Sequence, residues 1–224
     1  MNTSMRLSFL AVVAFVIGLW PSTSDALTFS NPAPILIPAA GTSGPANPYP
    51  STINVSGVTD VVVDINVTLN NMNHTFPDDI DVLLVGPTGA KLLIMSDAGG
   101  SADLVNNTYT FDDAAAGTLA DGALNASGSY KPSNFGTGDT FPAPAPVGPY
   151  ADPQLLSIFN GLDPNGTWSL YVFDDVGGDV GNINLGWAVD ITVTSAVPEP
   201  TTLFLVGAGL LGLATRTFRR RSTG

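Results

Sequence analysis

The chain of 224 residues contains no cysteine and a single histidine. A disulfide framework, a thiolate zinc site and a cysteine nucleophile are therefore excluded. Basic side chains are almost missing from its middle: residues 27 to 196 hold seventeen aspartates and no glutamate, with Lys91 and Lys131 as the only cations. Such a body repels nucleic acid, which needs lysine and arginine to displace the counterions of its phosphates. Its natural partners are cations. The shortage of glutamate also points away from helices, because the short aspartate carboxylate suits turns and oxygen-rich metal loops.

The hydrophobic runs sit at the two ends. Arg6 precedes an apolar stretch from Leu7 to Trp20 that only Ser8 and Gly18 interrupt, and Ser24-Asp25-Ala26 follows with small residues at the positions a signal peptidase reads. This is the outline of a secretory signal peptide cut between Ala26 and Leu27. Fourteen residues fall short of the roughly twenty that span a bilayer. At the far end, Pro198-Glu199-Pro200 is followed by an apolar stretch from Leu203 to Ala214 and then by Arg216, Arg219, Arg220 and Arg221. That basic cluster would stay cytoplasmic and hold the tail transiently in the inner membrane with the body outside.

The order Pro-Glu-Pro, short apolar helix and arginine cluster over Val197 to Arg221 resembles the PEP-CTERM sorting signal of Gram-negative bacteria. The resemblance implies export, then cutting near Pro198-Glu199-Pro200 by an exosortase, a membrane protease, and delivery to the cell surface or the extracellular matrix. In that scheme the three residues are substrate and carry no chemistry themselves.

Between the ends the apolar period is two. Val61, Val63, Ile65, Val67 and Leu69 alternate with more polar neighbours, as do Trp168, Leu170 and Val172, and Leu185, Trp187, Val189, Ile191 and Val193. These are strands with one dry face. Ile80 to Val85 and Lys91 to Met95 flank Gly86-Pro87-Thr88-Gly89 at hairpin spacing. Two segments, Phe29 to Pro50 and Gly128 to Pro153, each carry six prolines. Neither can form a central strand, since each proline removes a ladder donor. The expected fold is all-β, an antiparallel jelly-roll-like sandwich over 51–196. A signal peptide helix over 1–26 and a Pro-rich leader over 27–50 precede it, and a sorting tail over 197–224 with a short hydrophobic helix follows.

The stretch His74-Thr75-Phe76-Pro77-Asp78-Asp79-Ile80-Asp81-Val82-Leu83-Leu84-Val85-Gly86-Pro87-Thr88-Gly89 resembles the proprotein-convertase P domain. So do Asn165-Gly166-Thr167-Trp168-Ser169-Leu170, the Asp-rich turn around Asp174 and Gly178-Asp179-Val180-Gly181, and Gly186-Trp187-Ala188-Val189-Asp190-Ile191. The likeness covers roughly residues 51 to 194. It implies a jelly-roll-like sandwich that accompanies subtilisin-type proteases and often binds calcium. No protease domain of the usual size fits beside it in this chain, so proteolysis does not carry over.

Catalysis by a Ser-His-Asp triad would have to use His74, which the P-domain likeness places in a structural hydrogen-bonding role. Trp168 and Trp187 sit in register on alternating strands and read as core rather than as sugar-stacking platforms. Calcium takes six to eight hard oxygens, and Asp78, Asp81, Asp97, Asp174 and Asp179 are the expected ligands. The plainer alternative is that these aspartates cap turns and keep the protein soluble. The reading is a non-catalytic exported protein, stabilised by calcium, with a structural or adhesive role in the envelope or exopolysaccharide matrix. A carbohydrate-binding module and an unusual extracellular hydrolase are the alternatives.

Overall fold

A computed structural model describes residues 24–194. The expected carboxyl-terminal helix, residues 1–23 of the expected signal peptide helix, Pro198-Glu199-Pro200 and the cluster Arg216, Arg219, Arg220 and Arg221 lie outside the described residues, while residues 24–26 are strand rather than helix. Within them the chain is built from strands: β1 Ser24–Asn31, β2 Ile35–Ile37, β3 Gly44–Pro45, β4 Ser51–Val55, β5 Val62–His74, β6 Ile80–Val85 and β7 Lys91–Ser96. There follow β8 Leu104–Phe111, β9 Gly128–Tyr130, β10 Ser133–Asn134, β11 Gly166–Asp174, β12 Gly181–Ile183 and β13 Trp187–Thr194. Single 3₁₀ turns occupy Pro77–Asp79 and Leu156–Phe159.

The strands form two mixed sheets. One runs β1-β13-β5-β12-β2, with β8 also on β5 and β9 beside β8; the other runs β10-β7-β6-β11-β3, with β4 also on β11. Pairing is antiparallel except for β8 with β9 and β7 with β10. The 13 residues of β5 hold β13 along Val62 to Leu69 and β12 along Met72 to His74, while β8 lines its other edge. The stretch 27–50, read as a leader, supplies most of β1 together with β2 and β3. All three run along sheet margins, where a proline costs no ladder bond.

The two sheets share one core. Ile65, Val67, Leu69, Trp187, Val189 and Ile191 of the first meet Val82, Leu84, Ile94, Trp168, Leu170 and Val172 of the second. Each such side chain removed from water is worth about 1.5–3 kcal/mol. Trp168 and Trp187 are fully buried, the indole N–H of Trp168 donating to the Pro164 carbonyl at 2.9 Å and that of Trp187 to Ser51 Oγ at 3.0 Å. The latter bond ties β13 to β4 across the core. Neither ring is offered to a sugar.

Two details of the alternation differ from expectation. Val61 is 45% exposed and Val62 is buried, because the β13–β5 register slips between Thr192 and Val193 and places Val62 rather than Val63 opposite Val193. One extra residue in a strand reverses the faces beyond it. Leu185 is exposed in the turn before β13, which starts only at Trp187.

The second sheet is covered on its outer face as well. Phe141 and Ala145, from the second Pro-rich segment, pack with Leu83, Leu93 and Tyr171, and Tyr49, Tyr150 and Phe173 close around them. Burial on both faces explains why Ile80 to Val85 reads as one nearly continuous apolar run. Asp81 interrupts that run.

Candidate metal centre

On β6, Ile80, Val82 and Leu84 enter the shared core, so Asp81 and Leu83 face outward by the period of two. Leu83 lies under Phe141, and Asp81 lies beside the last residue of β7. There Ser96 donates its hydroxyl to Asp81 Oδ1 at 2.7 Å. In the next strand Asn134 pairs with Ser96, which continues the row across the sheet. Asp97 follows β7 with φ of 49°, a left-handed conformation that aspartate tolerates better than most residues.

Asp81, Asp97 and Asp139 each bring one carboxylate oxygen within 4.8 Å of the others. Asn134 Nδ2 donates to Asp139 Oδ2 at 2.9 Å, while Asn134 Oδ1 is buried without a partner. Gly136, with φ of 76°, passes so near that a Cβ there would stand 2.8 Å from Asp97 Oδ2. Among the described residues no lysine or arginine pairs with a carboxylate; the one ion pair is that of His74 with Asp174.

The electrostatics follow from this crowding. Burial pushes the carboxyl of Asp81 up to about 8, the Ser96 hydrogen bond opposes the rise, and Asp139, Asp175 and Asp97 add to it. Asp97 is raised by burial and then by Asp139, and Asp175 by burial with help from Asp139 and Asp78. Burial, reinforced by neighbouring carboxylates, favours the protonated form of each group. A divalent cation among Asp81, Asp97 and Asp139 would favour their ionised forms.

Asp174 turns the other way. It lies at the end of β11 on the core side, fully buried, with Oδ2 3.2 Å from His74 Nε2 and Oδ1 unpartnered. His74 Nδ1 lies 2.8 Å from the Phe76 carbonyl oxygen, so both ring nitrogens face an acceptor. Burial lowers the imidazole, with Phe76 and the nearby Asp179 and Asp79 pulling it back. Burial raises Asp79 and Asp174 to about 6 each, with the neighbouring carboxylates adding to the rise.

Of the five expected ligands, the structure brings only Asp81 and Asp97 together. Asp78 accepts from the Gly100 amide at 3.3 Å, Asp179 accepts from Thr75 Oγ1 at 2.9 Å, and Asp174 belongs to His74. Asp139 was missed. It stands alone among prolines and aromatics in the second Pro-rich segment, and nothing in its spacing marks it as a ligand. The other expected sites concern processing: Ala26 and Leu27 pair with Thr192 and Ile191 inside the β1–β13 ladder.

The chain is 32% identical over 120 residues to leupeptin-inactivating enzyme 1 of Streptomyces exfoliatus, a match that takes in 51% of this chain and 25% of that protein. It thus spans about a quarter of the curated relative it matches. Among solved structures it is similar to the serine protease of Aeromonas sobria in complex with the chaperone ORF2, at 14% identity and a TM-score of 0.38 over 80% of this chain and 28% of that one. The same serine protease by itself gives 13% identity and a TM-score of 0.37 over 78% and 28%. Residues 196–221 match the PEP-CTERM protein-sorting motif. That motif is the mark of an exported, envelope-associated protein of Gram-negative bacteria, processed by signal peptidase and sorted by an exosortase.

Proposed function

We propose that the body is a non-catalytic, jelly-roll-like module of P-domain type, stabilised by calcium, with a structural or adhesive role in the envelope or its exopolysaccharide matrix. The observation that carries the metal part is the convergence of Asp81, Asp97 and Asp139 within 4.8 Å, with no basic side chain paired to them among the described residues. The residues fit the ion. Every donor is a hard oxygen, and the glycine at 136 keeps a side chain away from Asp97 Oδ2. Calcium would supply positive charge that cancels the repulsion among the carboxylates and ties their loops to the sheet.

The hydrolase alternative draws on the named activity of the Streptomyces relative and would have to rest on His74. Its ring nitrogens are engaged by Asp174 and Phe76, and no hydroxyl is bonded to them among the described residues.

The test of the metal is a thermal melt of the mature protein in chelator and across millimolar calcium. Ligand bound to the folded state alone raises the midpoint steadily with concentration, and an unchanged midpoint would remove the metal. Sorting is tested separately in a host that contains an exosortase. Replacing Pro198-Glu199-Pro200 by alanines should abolish carboxyl-terminal processing, and normal processing of that variant would refute the role given to the motif.

A further inference from the structure

The two processing signals leave the body at one place. β1 is the marginal strand of its sheet and pairs with β13 alone, from Ser24 opposite Thr194 to Asn31 opposite Trp187. The matched sorting motif begins at residue 196, just beyond Thr194. Residues 21–23 join that place to the apolar stretch ending at Trp20, and residues 195–202 join it to the one starting at Leu203. The bond between Ala26 and Leu27, where the signal peptide is expected to end, divides β1.

Cutting there removes part of the sheet. Ser24, Asp25 and Ala26 stand opposite Thr194, Val193 and Thr192. On its other side β13 is held by β5, but that pairing stops at Val193 opposite Val62. Thr194 thus has Ser24 as its only strand partner among the described residues. Once residues 24–26 leave with the signal peptide, Thr194 is unpaired on both sides, and Thr192 and Val193 become the margin of the sheet.

Only Ser195, Ala196 and Val197 separate the ladder of the uncut chain from Pro198, a span of about 10 Å at full extension. Proteases act on unpaired chain, so a ladder that ends this close restricts access to the motif. Loss of residues 24–26 moves the last paired residue back to Val193 at once, and further whenever the new margin frays.

We infer that the two cleavages are ordered: residues 24–26 clamp the base of the sorting tail, and the exosortase cuts near Pro198-Glu199-Pro200 only after the signal peptide has gone. This rests on the export and sorting readings above. The first cut adds water across one peptide bond and leaves a carboxylate on Ala26 and an ammonium group on Leu27. A chain that folds with its signal peptide attached keeps its tail as well, so sorting is confined to chains already freed at the amino terminus.

The full chain and its variants, expressed in a host that contains an exosortase, test the order, with both termini read by mass spectrometry. Ala26→Leu puts a large residue where signal peptidase requires a small one and, at an exposed position, leaves β1 paired. It should keep its signal peptide and lose its tail at least about tenfold more slowly than the unaltered chain, the worth of a few cross-strand pairs. Asp25→Pro combined with Ala26→Pro also blocks the first cut, but takes two successive donors out of the strand, one of which faces β13. That variant should keep its signal peptide and lose its tail at the unaltered rate. Hydrogen exchange on the same samples should find β5 protected in both variants, and residues 192–194 protected in Ala26→Leu alone.

Tail removal from Ala26→Leu at the unaltered rate would overturn the order and leave sorting in place. Retention of the tail by the double-proline variant would also overturn it, since attachment to the membrane rather than the ladder would then withhold the tail. An unaltered chain that kept its tail would defeat the sorting reading, and the order with it.

Discussion

His74 Nε2 and Asp174 Oδ2 meet at 3.2 Å with both side chains sealed from solvent, and they join the last residue of β5 in one sheet to the last residue of β11 in the other. The bond closes one end of the core between the sheets. The geometry gives the buried imidazole of His74 a carboxylate partner.

Removing one member of a buried pair strands the other. His74→Ala and Asp174→Ala are each expected to cost about 3–5 kcal/mol in urea denaturation. The double variant should cost clearly less than the sum, because the second deletion removes a group already left unpaired. Additive losses would show that the two side chains act independently.

The acidic groups dictate an uncommon pH dependence. Asp79 and Asp174 are raised to about 6 and Asp81 to about 8 from an ordinary 3.8. The folded state thus holds protons that the unfolded chain gives up. Their contribution is complete below about pH 4 and is lost as pH rises, through about 6 for the first two and about 8 for Asp81. His74, lowered by burial, works in the opposite sense as pH rises toward 6.5, a single group against several raised aspartates. In chelator the melting midpoint should fall between pH 4 and pH 8, and calcium should flatten the fall. A midpoint climbing across that range in chelator would contradict the assignment.

Gly181 is required by a close approach. It starts β12 opposite His74, and a Cβ there would lie 2.0 Å from the Asn73 carbonyl oxygen and 2.8 Å from the His74 Cα. Backbone cannot yield as a flexible side chain does. Gly181→Ala should cost about 3 kcal/mol or more, at the upper end for overpacking, and should accelerate hydrogen exchange in β12 and β2. A fully stable variant would show that β12 is free to shift.

The register of β1 bears on processing. Ser24 lies opposite Thr194, so the bond between Ala26 and Leu27 falls inside a paired strand. Peptidases act on extended, unpaired chain, and β13 is the last strand among the described residues. Cleavage there should succeed on the chain before β13 closes and fail on purified, folded, uncut protein, as read by amino-terminal sequencing. Equal cutting of folded and unfolded chains would mean that β1 does not persist.

Much of the architecture was legible because it is periodic. The hairpin of β6 and β7 around Gly86 to Gly89, the inward rows of β11 and β13 and the marginal place of the proline-rich stretches all follow from alternation and from the chemistry of single residues. The face of Val62 was not legible. A slip of one residue against β13 leaves no trace in composition. Asp139 escaped for a related reason: its partners are distant in sequence and meet it only because an irregular segment folds back over a sheet.

By itself, then, the amino-acid sequence determined a β-rich body loaded with aspartate and followed by a sorting motif for export. Period, composition and terminal motifs are local properties that need no neighbour to be expressed. Only the tertiary structure decided which aspartates stand together and which one turns inward to a histidine. Carboxylates interact over a few ångströms, and those distances are set by register and by the cover, through contacts between residues far apart along the chain.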